Sequence, residues 1–420
     1  MGWARQQRET AIENCCSDIE TADFVAFDLE FSGLFTHETA SRSRNSSLEQ
    51  YFDKCASSVP QFLPLQLGVC CARQRHSDRV WELRTHEFNL WPQSPRLFMS
   101  DFKSLRFLRD NGFDFNSYLE SGFAYSRLPE AAHQAKKARK FNTNQLVQAL
   151  HDSKVPLVVH NGFLDLLHLF HAFIGDIPPD VQSFCDCWMS YFPTVFDTRH
   201  LAQEGQYKIL QCGALTLDAL HQHLTSCQES EPRIRFENHG PLEEGRPSHG
   251  SSGQDAFITA QVFLMVTARW IWLDGLEVQR KTRQKLRLQE LESKLLPLGW
   301  QEIHKIAEAC GVRIYRAMVN GRFGGPRGAR RPLAEIRTAI VAVQYAKEMD
   351  DVKAPEVAGG DESCAADRME FALSPDFLVS HKVCLRFRNY LAIVGASPGH
   401  VCIQHVAGEI RADHMSTSKK

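Results

Sequence analysis

Two acids inside a strand-like run are the first candidates for chemistry. Asp28 and Glu30 sit in Phe24-Val25-Ala26-Phe27-Asp28-Leu29-Glu30-Phe31, a stretch of β-branched and aromatic residues that reads as a strand. Side chains alternate faces along a strand, so these two carboxylates project to the same side, about 6–7 Å apart, and can share bound metal. Two further acids stand among apolar neighbours. Asp165 lies between Leu164 and Leu166, and Asp255 heads Asp255-Ala256-Phe257. Burying an ionised carboxylate costs several kcal/mol unless it is paired, hydrogen-bonded or bound to a cation. Taken singly, each has a plainer reading. Asp165 can be a solvent-facing helix residue, Asp255 a helix N-cap, and Asp28 and Glu30 the polar positions of a half-exposed strand. Together, four acids with histidines close to the last two form a set suited to a hard, oxygen-seeking cation such as Mg²⁺.

Composition excludes several alternatives. The 13 cysteines contain no C-x-x-C pair, against a zinc ribbon or a disulfide framework. With a polar N-terminus, this points to a reducing intracellular setting, nucleus or cytoplasm, without a signal peptide or transmembrane segment. The longest apolar run, from Ala256 to Leu273, is interrupted by Thr, Gln and Arg269, so it is expected as a core helix and not as a membrane span. A net charge of -2 excludes a chain coated in cations for long nucleic acids, so any such contact is local. Basic clusters at Lys136–Lys140, Arg280–Arg287 and Arg322–Arg331 are either local contacts or solvated faces.

The elements that must position the acids follow from apolar periodicity. After the first strand come a Ser/Arg-rich loop, a helix from Leu48 to Ser58, and strand-like stretches at Phe62–Ala72 and His86–Leu90. Residues 101–150 read as polar and helical. Val155–Val159 announces a short buried strand, followed by a helix from about Asn161 to Phe173 that would carry Asp165. Further helices are expected at Phe184–Tyr191, Ala214–Leu224 and Asp255–Gly275. Early strands followed by strand–helix units predict an α/β core, within a first domain over 1–278. A helical, basic extension is expected over 279–353, and a linker with a possible small α/β module over 354–420, where strand-like text occurs at Phe377–Phe387 and Tyr390–Val394.

The acids in this order, with the residues around them, resemble the four-carboxylate (DEDD-type, histidine-dependent) exonuclease superfamily and its poly(A)-specific ribonuclease branch. The resemblance is carried by Phe27-Asp28-Leu29-Glu30-Phe31-Ser32-Gly33, the helix with Tyr51, Leu65-Gln66-Leu67-Gly68 and Phe107-Leu108-x3-Gly112-Phe113-Asp114-Phe115-Asn116. It continues through Pro156-Leu157-Val158-Val159-His160-Asn161, Phe192-Pro193, Asp197-Thr198 and Asp255-Ala256-Phe257-Ile258-Thr259, and so spans about residues 23–270. It implies an RNase H-like α/β fold with a mixed central sheet flanked by helices. It also implies that Asp28, Glu30, Asp165 and Asp255 hold two Mg²⁺ ions, with Mn²⁺ able to substitute.

The same resemblance places a general-base histidine five positions before the last acid. Here that position is Gly250, and the histidine is His249, one residue earlier. A loop with two glycines can absorb the shift, so His249 is the expected base and His239 its rival. On the substrate side, the resemblance suggests Phe31 as a base-stacking ring, with an ordinary core aromatic as the alternative. Arg199 stands where relatives carry a phosphate-contacting lysine, and His160 and Asn161 would orient the site. Gln66 reads as a buried hydrogen-bonding residue, and His168 and His171 as packed helix residues without metal. The single-strand-binding domain inserted in the best-known relatives has no room between Lys140 and Val155. The expected activity is Mg²⁺-dependent 3′-to-5′ hydrolysis of single-stranded RNA, with poly(A) shortening as the substrate reading and a homodimer as a possible assembly. The alternatives are 3′-end trimming of small noncoding RNAs and a catalytically weak RNA-binding pseudonuclease.

Overall fold

A computed structural model describes residues 2–36, 46–128, 142–203, 215–227, 234–239, 251–309, 340–341, 344, 375, 382–393, 396–397 and 400–403. The basic clusters at Lys136–Lys140 and Arg322–Arg331 and the expected base His249 lie outside the described residues. Two compact units divide the chain. One comprises Met1–Trp270 with Met369–Lys420, the other Ile271–Arg368.

The first unit is built on a mixed sheet. Strand β1 (Phe24–Phe31) pairs antiparallel with β2 (Pro64–Arg75), which pairs antiparallel with β3 (Val80–Pro92). On its other side β1 runs parallel to β5 (Leu157–Val159), and β5 parallel to β6 (Val195–Asp197). The central order β3-β2-β1-β5-β6 is a three-strand meander followed by two parallel strands, the RNase H-like arrangement. Two short strands lengthen it at β3, where β4 (Phe123–Tyr125) pairs with Leu90–Pro92 and β7 (Phe236–His239) with Trp81–Arg84.

Both faces of β1 are covered, which is why it lacks a clean polar side. Val25, Phe27 and Leu29 pack on one face with Phe52, Phe163, Phe184 and Trp188. Helix α1 (Gly2–Thr21) contributes Ile12, Cys15 and Ile19, a helical spacing that puts all three into that core. On the other face Phe24 meets the edge of Phe263 at 5.0 Å between ring centroids, and Phe263 in turn meets Phe196 at 5.2 Å. Phe263 belongs to the long helix Ser252–Leu295. It joins the helix expected at Asp255–Gly275 to the start of the helical extension expected from residue 279. Its apolar half is long and apolar enough to cross a membrane, but Ala256, Ala260, Val262, Phe263, Leu264 and Val266 are fully buried in the first unit, as a core helix requires.

Two expectations change. Within 101–150, helices α3 (Phe102–Asp110), α4 (Phe115–Ser121) and α5 (Asn144–Ser153) form as read. Phe123–Tyr125, however, is a strand, because its backbone completes pairing with the end of β3. The strand reading of Phe377–Phe387 fails over its described part. Lys382–Phe387 is a helix, with Cys384 and Phe387 buried at i, i+3 and Leu385 exposed. Tyr390–Ala392 is a strand and pairs with His400–Cys402. This C-terminal segment belongs to the same compact unit as the sheet. The second unit has a small core of its own, formed by Leu291, Leu295, Ile303, Ile340 and Val341.

Candidate active site

The sheet topology brings acids from three distant segments to the carboxyl ends of its parallel strands. Asp28 and Glu30 share a face of β1, as alternation requires, and face the first turn of the helix Ser252–Leu295. Ligand oxygens of Asp28, Glu30 and Asp255 all lie within 4.8 Å of one another. Asp255 sits one turn into its helix and is not the N-cap. Capping falls to Ser251, whose Oγ accepts from Gln254 N at 3.2 Å.

The helix start can reach the strand because Gly68, opposite Asp28 in the β1–β2 register, has no side chain. A Cβ there would stand 1.9 Å from the Ser252 carbonyl oxygen and 2.4 Å from Gly253 N. Gln66 holds the helix down, with Oε1 accepting from Ser252 N at 3.0 Å and Ser252 Oγ at 3.1 Å, while its amide nitrogen donates to Asn89 Oδ1. Glu87 adds a second anchor, accepting from Gly253 N at 3.2 Å and from the Ser251 hydroxyl. Glu87 has no local sequence signal, since its importance depends on strand register alone, and Gly68 shows in the sequence only as the end of the Leu65-Gln66-Leu67-Gly68 stretch.

Asp165 arrives from the other side. Asn161 takes a left-handed φ of 55°, turning the chain from β5 into helix α6 (Phe163–Leu169), so that Asp165 Oδ1 accepts from Leu29 N at 3.0 Å. That bond pins it to β1 between Asp28 and Glu30. The Asn161 backbone carries out this turn while its side chain is exposed.

Mutual repulsion marks the cluster electrostatically. Burial, followed by the charges of Asp165, Asp255 and Glu30, raises the Asp28 carboxyl well above the usual carboxylate range. Glu30 is pushed up to about 8 by burial and then by Asp255, Asp165 and Glu87. Asp165 rises to about 7, again through burial, although the Leu29 N–H favours its charged form. Oxygen ligands packed this closely, with no sulfur or imidazole among them, fit a hard divalent cation such as Mg²⁺ or Mn²⁺. A cation between them would remove the repulsion that holds their protons on.

The other expected residues are dispersed. Phe31 follows an irregularity in the β1 register, packs against the core and stacks on His168, with centroids 4.2 Å apart. His168 is buried and its pKa falls to about 3 through burial, so it stays neutral. Arg199 donates through Nη1 to the Leu215 carbonyl at 3.0 Å and is partly buried. His160 lies between Thr198 Oγ1 (2.8 Å) and the Leu215 carbonyl (3.2 Å), and burial lowers it to about 4. His239 ends the edge strand β7 opposite Arg84, its ring turned to Glu237 at 3.5 Å.

Asp197, which the sequence shows only within the Asp197-Thr198 motif, is the best-satisfied acid nearby. It is fully buried, with Oδ1 accepting from Asn161 N, Arg199 N and His200 N and Oδ2 from Ala392 N at 3.0 Å. It ties the β5–α6 turn to the C-terminal strand.

Comparison with known proteins places the chain among ribonucleases. The profile described as CAF1 family ribonuclease matches residues 4–145 and 130–263. The 3′-5′ exoribonuclease parn-1 of Caenorhabditis elegans is 28% identical over 256 residues, covering 59% of this chain and 44% of that protein. Human poly(A)-specific ribonuclease PARN is 31% identical over 120 residues, covering 27% of this chain and 19% of the relative. The pre-piRNA 3′-exonuclease trimmer of Bombyx mori is 27% identical over 363 residues, covering 60% of this chain and 68% of that protein. The chain spans less than half the length of the poly(A)-specific relatives it matches. Among solved structures, Schizosaccharomyces pombe Pop2p in a Mg²⁺- and Mn²⁺-bound form aligns with TM-score 0.44 at 17% identity, covering 64% of this chain and 91% of that one.

Proposed function

The chain belongs to the CAF1 ribonuclease family, and we propose that it is a 3′-to-5′ exoribonuclease that removes 5′-mononucleotides from single-stranded RNA, with poly(A) tails as its substrate. The observation that carries this reading is the convergence of Asp28, Glu30 and Asp255 oxygens within 4.8 Å, with Asp165 pinned beside them. Two divalent cations held by these four acids would supply charge neutralisation at the scissile phosphate and activation of the attacking water.

The chain's own contribution is positioning. Asp28 and Glu30 present oxygens from a rigid central strand, so these two ligands are placed by the sheet itself. Gln66 and Glu87 fix the helix that carries Asp255, and the Leu29 N–H fixes Asp165. His249, three residues before this helix begins in the sequence, takes the proton from the attacking water in this reading, a role suited to an imidazole. Phe31 and Arg199 are assigned to the terminal base and to phosphate, which requires Arg199 to exchange the Leu215 carbonyl for substrate.

A second substrate reading is supported by the silkworm trimmer, of which this chain covers 68%: 3′-end trimming of small noncoding RNAs. The test is a time course on labelled oligo(A), oligo(U), a small noncoding RNA with a 3′ extension, and oligo(dA), with Mg²⁺, for wild type, Asp28→Ala and His249→Ala. Ladders of shortened RNA are expected from the wild type alone, fastest on oligo(A), with oligo(dA) spared by a site that reads the 2′-hydroxyl. A preference for the extended small RNA selects the trimming reading. No shortening of any RNA by the wild type would sink both and leave an RNA-binding pseudonuclease. Full activity in His249→Ala removes His249 as the base.

A further inference from the structure

Regular pairing fails at the end of β1. Up to Glu30, opposite Gln66, the register with β2 is unbroken, but Phe31 stands opposite Pro64, so Leu65 is skipped. Proline has no N–H to give, and Pro64 therefore offers Phe31 no backbone donor. A bulge of this kind bends a strand and re-aims a side chain. The side chain at stake is Glu30, one of the clustered acids. A working ligand has to be held to within about 0.5 Å, so the exit of β1 needs a fastening besides the ladder.

Helix α6 supplies one. It lies deep in the core, with Phe163, Leu166, Leu167 and Leu169 buried, which makes it a stiff platform. Asp165 and His168, three residues apart, share one of its faces. Both reach β1, at alternate positions. Asp165 Oδ1 accepts from Leu29 N at 3.0 Å. The His168 ring stacks on the half-buried Phe31, with centroids 4.2 Å apart and planes inclined by 25°. Glu30 is the residue between these two points.

The state of the imidazole shows how it acts. His168 is 1% exposed, burial keeps it neutral, and its Nε2 meets no hydrogen-bond partner among the described residues. The contact with β1 is therefore made by the face of the ring. An aliphatic side chain would fill the same volume without a stranded nitrogen, whose burial is unfavourable. It would not fix the tilt of the Phe31 ring, because stacked planar groups prefer defined orientations.

We infer that His168 is a positioning residue for the cation site: by stacking on Phe31 it fixes the exit of β1 and with it the direction of the Glu30 carboxylate. This deepens the exoribonuclease reading and rests on its four-acid site. In this role His168 touches neither cation nor RNA. Groups that orient a ligand from behind change metal affinity by about ten- to a hundredfold when lost, and a residue acting through a second side chain belongs at the lower end.

Titration calorimetry of the full chain with Mg²⁺ or Mn²⁺ alone, without RNA, tests this. His168→Ala should weaken metal binding about tenfold and raise the half-saturating Mg²⁺ concentration for hydrolysis alike, with kcat at saturating Mg²⁺ little changed. His168→Phe keeps a ring and drops the unmet nitrogen, so it should restore wild-type affinity and melt no earlier. Alanine leaves a cavity whatever the role of His168, so a double-mutant cycle is decisive. In a Phe31→Leu background, His168→Ala should weaken metal binding almost no further, since the stack is already gone. Equal losses in both backgrounds overturn the proposal, as does wild-type metal affinity in His168→Ala. A well-folded His168→Phe that binds metal as poorly as His168→Ala also overturns it. Stack-dependent metal binding in a chain that shortens no RNA keeps the positioning role and removes the nuclease reading. A wild type that binds neither ion removes both.

Discussion

Two buried acidic regions lie side by side in this molecule and are satisfied in opposite ways. Asp197 is sealed in, yet four backbone N–H groups point at its two oxygens, and its pKa rises only to about 6, through burial that those donors partly offset. Asp28, Glu30 and Asp165 are surrounded chiefly by acids. Each is raised first by burial, and Asp28 and Glu30 next by neighbouring carboxylates, Glu30 reaching about 8. A protein that needs a buried carboxylate for architecture supplies donors. One that leaves carboxylates facing each other has left the donor's place to a ligand, and for four acids that ligand is a cation.

The contrast is broken most severely by removing a member of the cluster. Asp28→Asn should lower the rate of RNA hydrolysis at saturating Mg²⁺ by roughly 10²-fold or more, while metal-free thermal stability at pH 8 stays level or rises, since one repelling charge has gone. A variant that melts markedly earlier without metal would mean that Asp28 is an architectural acid like its neighbour. The next largest effect belongs to Asp197→Asn. An amide nitrogen facing the Ala392 or Asn161 N–H leaves a buried donor unmet, a loss of about 3 kcal/mol seen in denaturant unfolding, with Mg²⁺ affinity retained. Wild-type stability combined with lost metal response would move Asp197 into the cation cluster.

A pH series sharpens the same comparison. A carboxyl whose folded pKa is raised holds its proton in the folded state after the unfolded chain has lost it, so stability falls as pH rises through the interval between the two values. For Asp197 that interval closes near 6; for Asp165 and Glu30 it extends to about 7 and about 8. In EDTA the melting temperature should therefore keep falling between pH 6 and 8, and added Mg²⁺ should raise it more at pH 8 than at pH 6. An Mg²⁺-induced shift of equal size at both values would show that binding displaces no protons from the cluster.

How much of this was legible beforehand differs residue by residue. Asp28 and Glu30 were readable as a pair because strand periodicity is local, and the meander followed by strand–helix units gave away the sheet. Asp165 and Asp255 could be singled out only as members of a set, since an acid amid apolar residues reads equally well as solvated helix or cap. What joins them is long-range: Gly68 passes the start of the Ser252–Leu295 helix, and the Leu29 N–H catches Asp165 from 136 residues away. The C-terminal docking was equally hidden. Asn389, at a left-handed φ of 65°, accepts from Val195 N and donates to the Pro193 carbonyl across more than 190 residues, a contact that no sequence window contains. Phe31 and Arg199 were named by likeness, and their present partners are His168 and the Leu215 carbonyl.

Glu87 tests the boundary between the two kinds of acid, because it shares in both. It accepts from Gly253 N like an architectural carboxylate and adds to the repulsion on Glu30 like a member of the cluster. Glu87→Gln keeps an acceptor for the helix start but deletes the charge. If its role is mainly structural, the half-saturating Mg²⁺ concentration stays put and unfolding changes by under about 1 kcal/mol. If its charge helps to draw the cation, stability is equally unmoved but half-saturation rises a few-fold, as expected for a unit charge acting across a partly hydrated distance, with kcat at saturating Mg²⁺ unchanged. The second outcome is expected, because Glu87 stands opposite Gly68, the residue across from Asp28, with its carboxylate among the first residues of the helix that carries Asp255. A drop in kcat at saturating Mg²⁺ would instead show that the Gly253 anchor holds Asp255 in its working position and that glutamine cannot replace it.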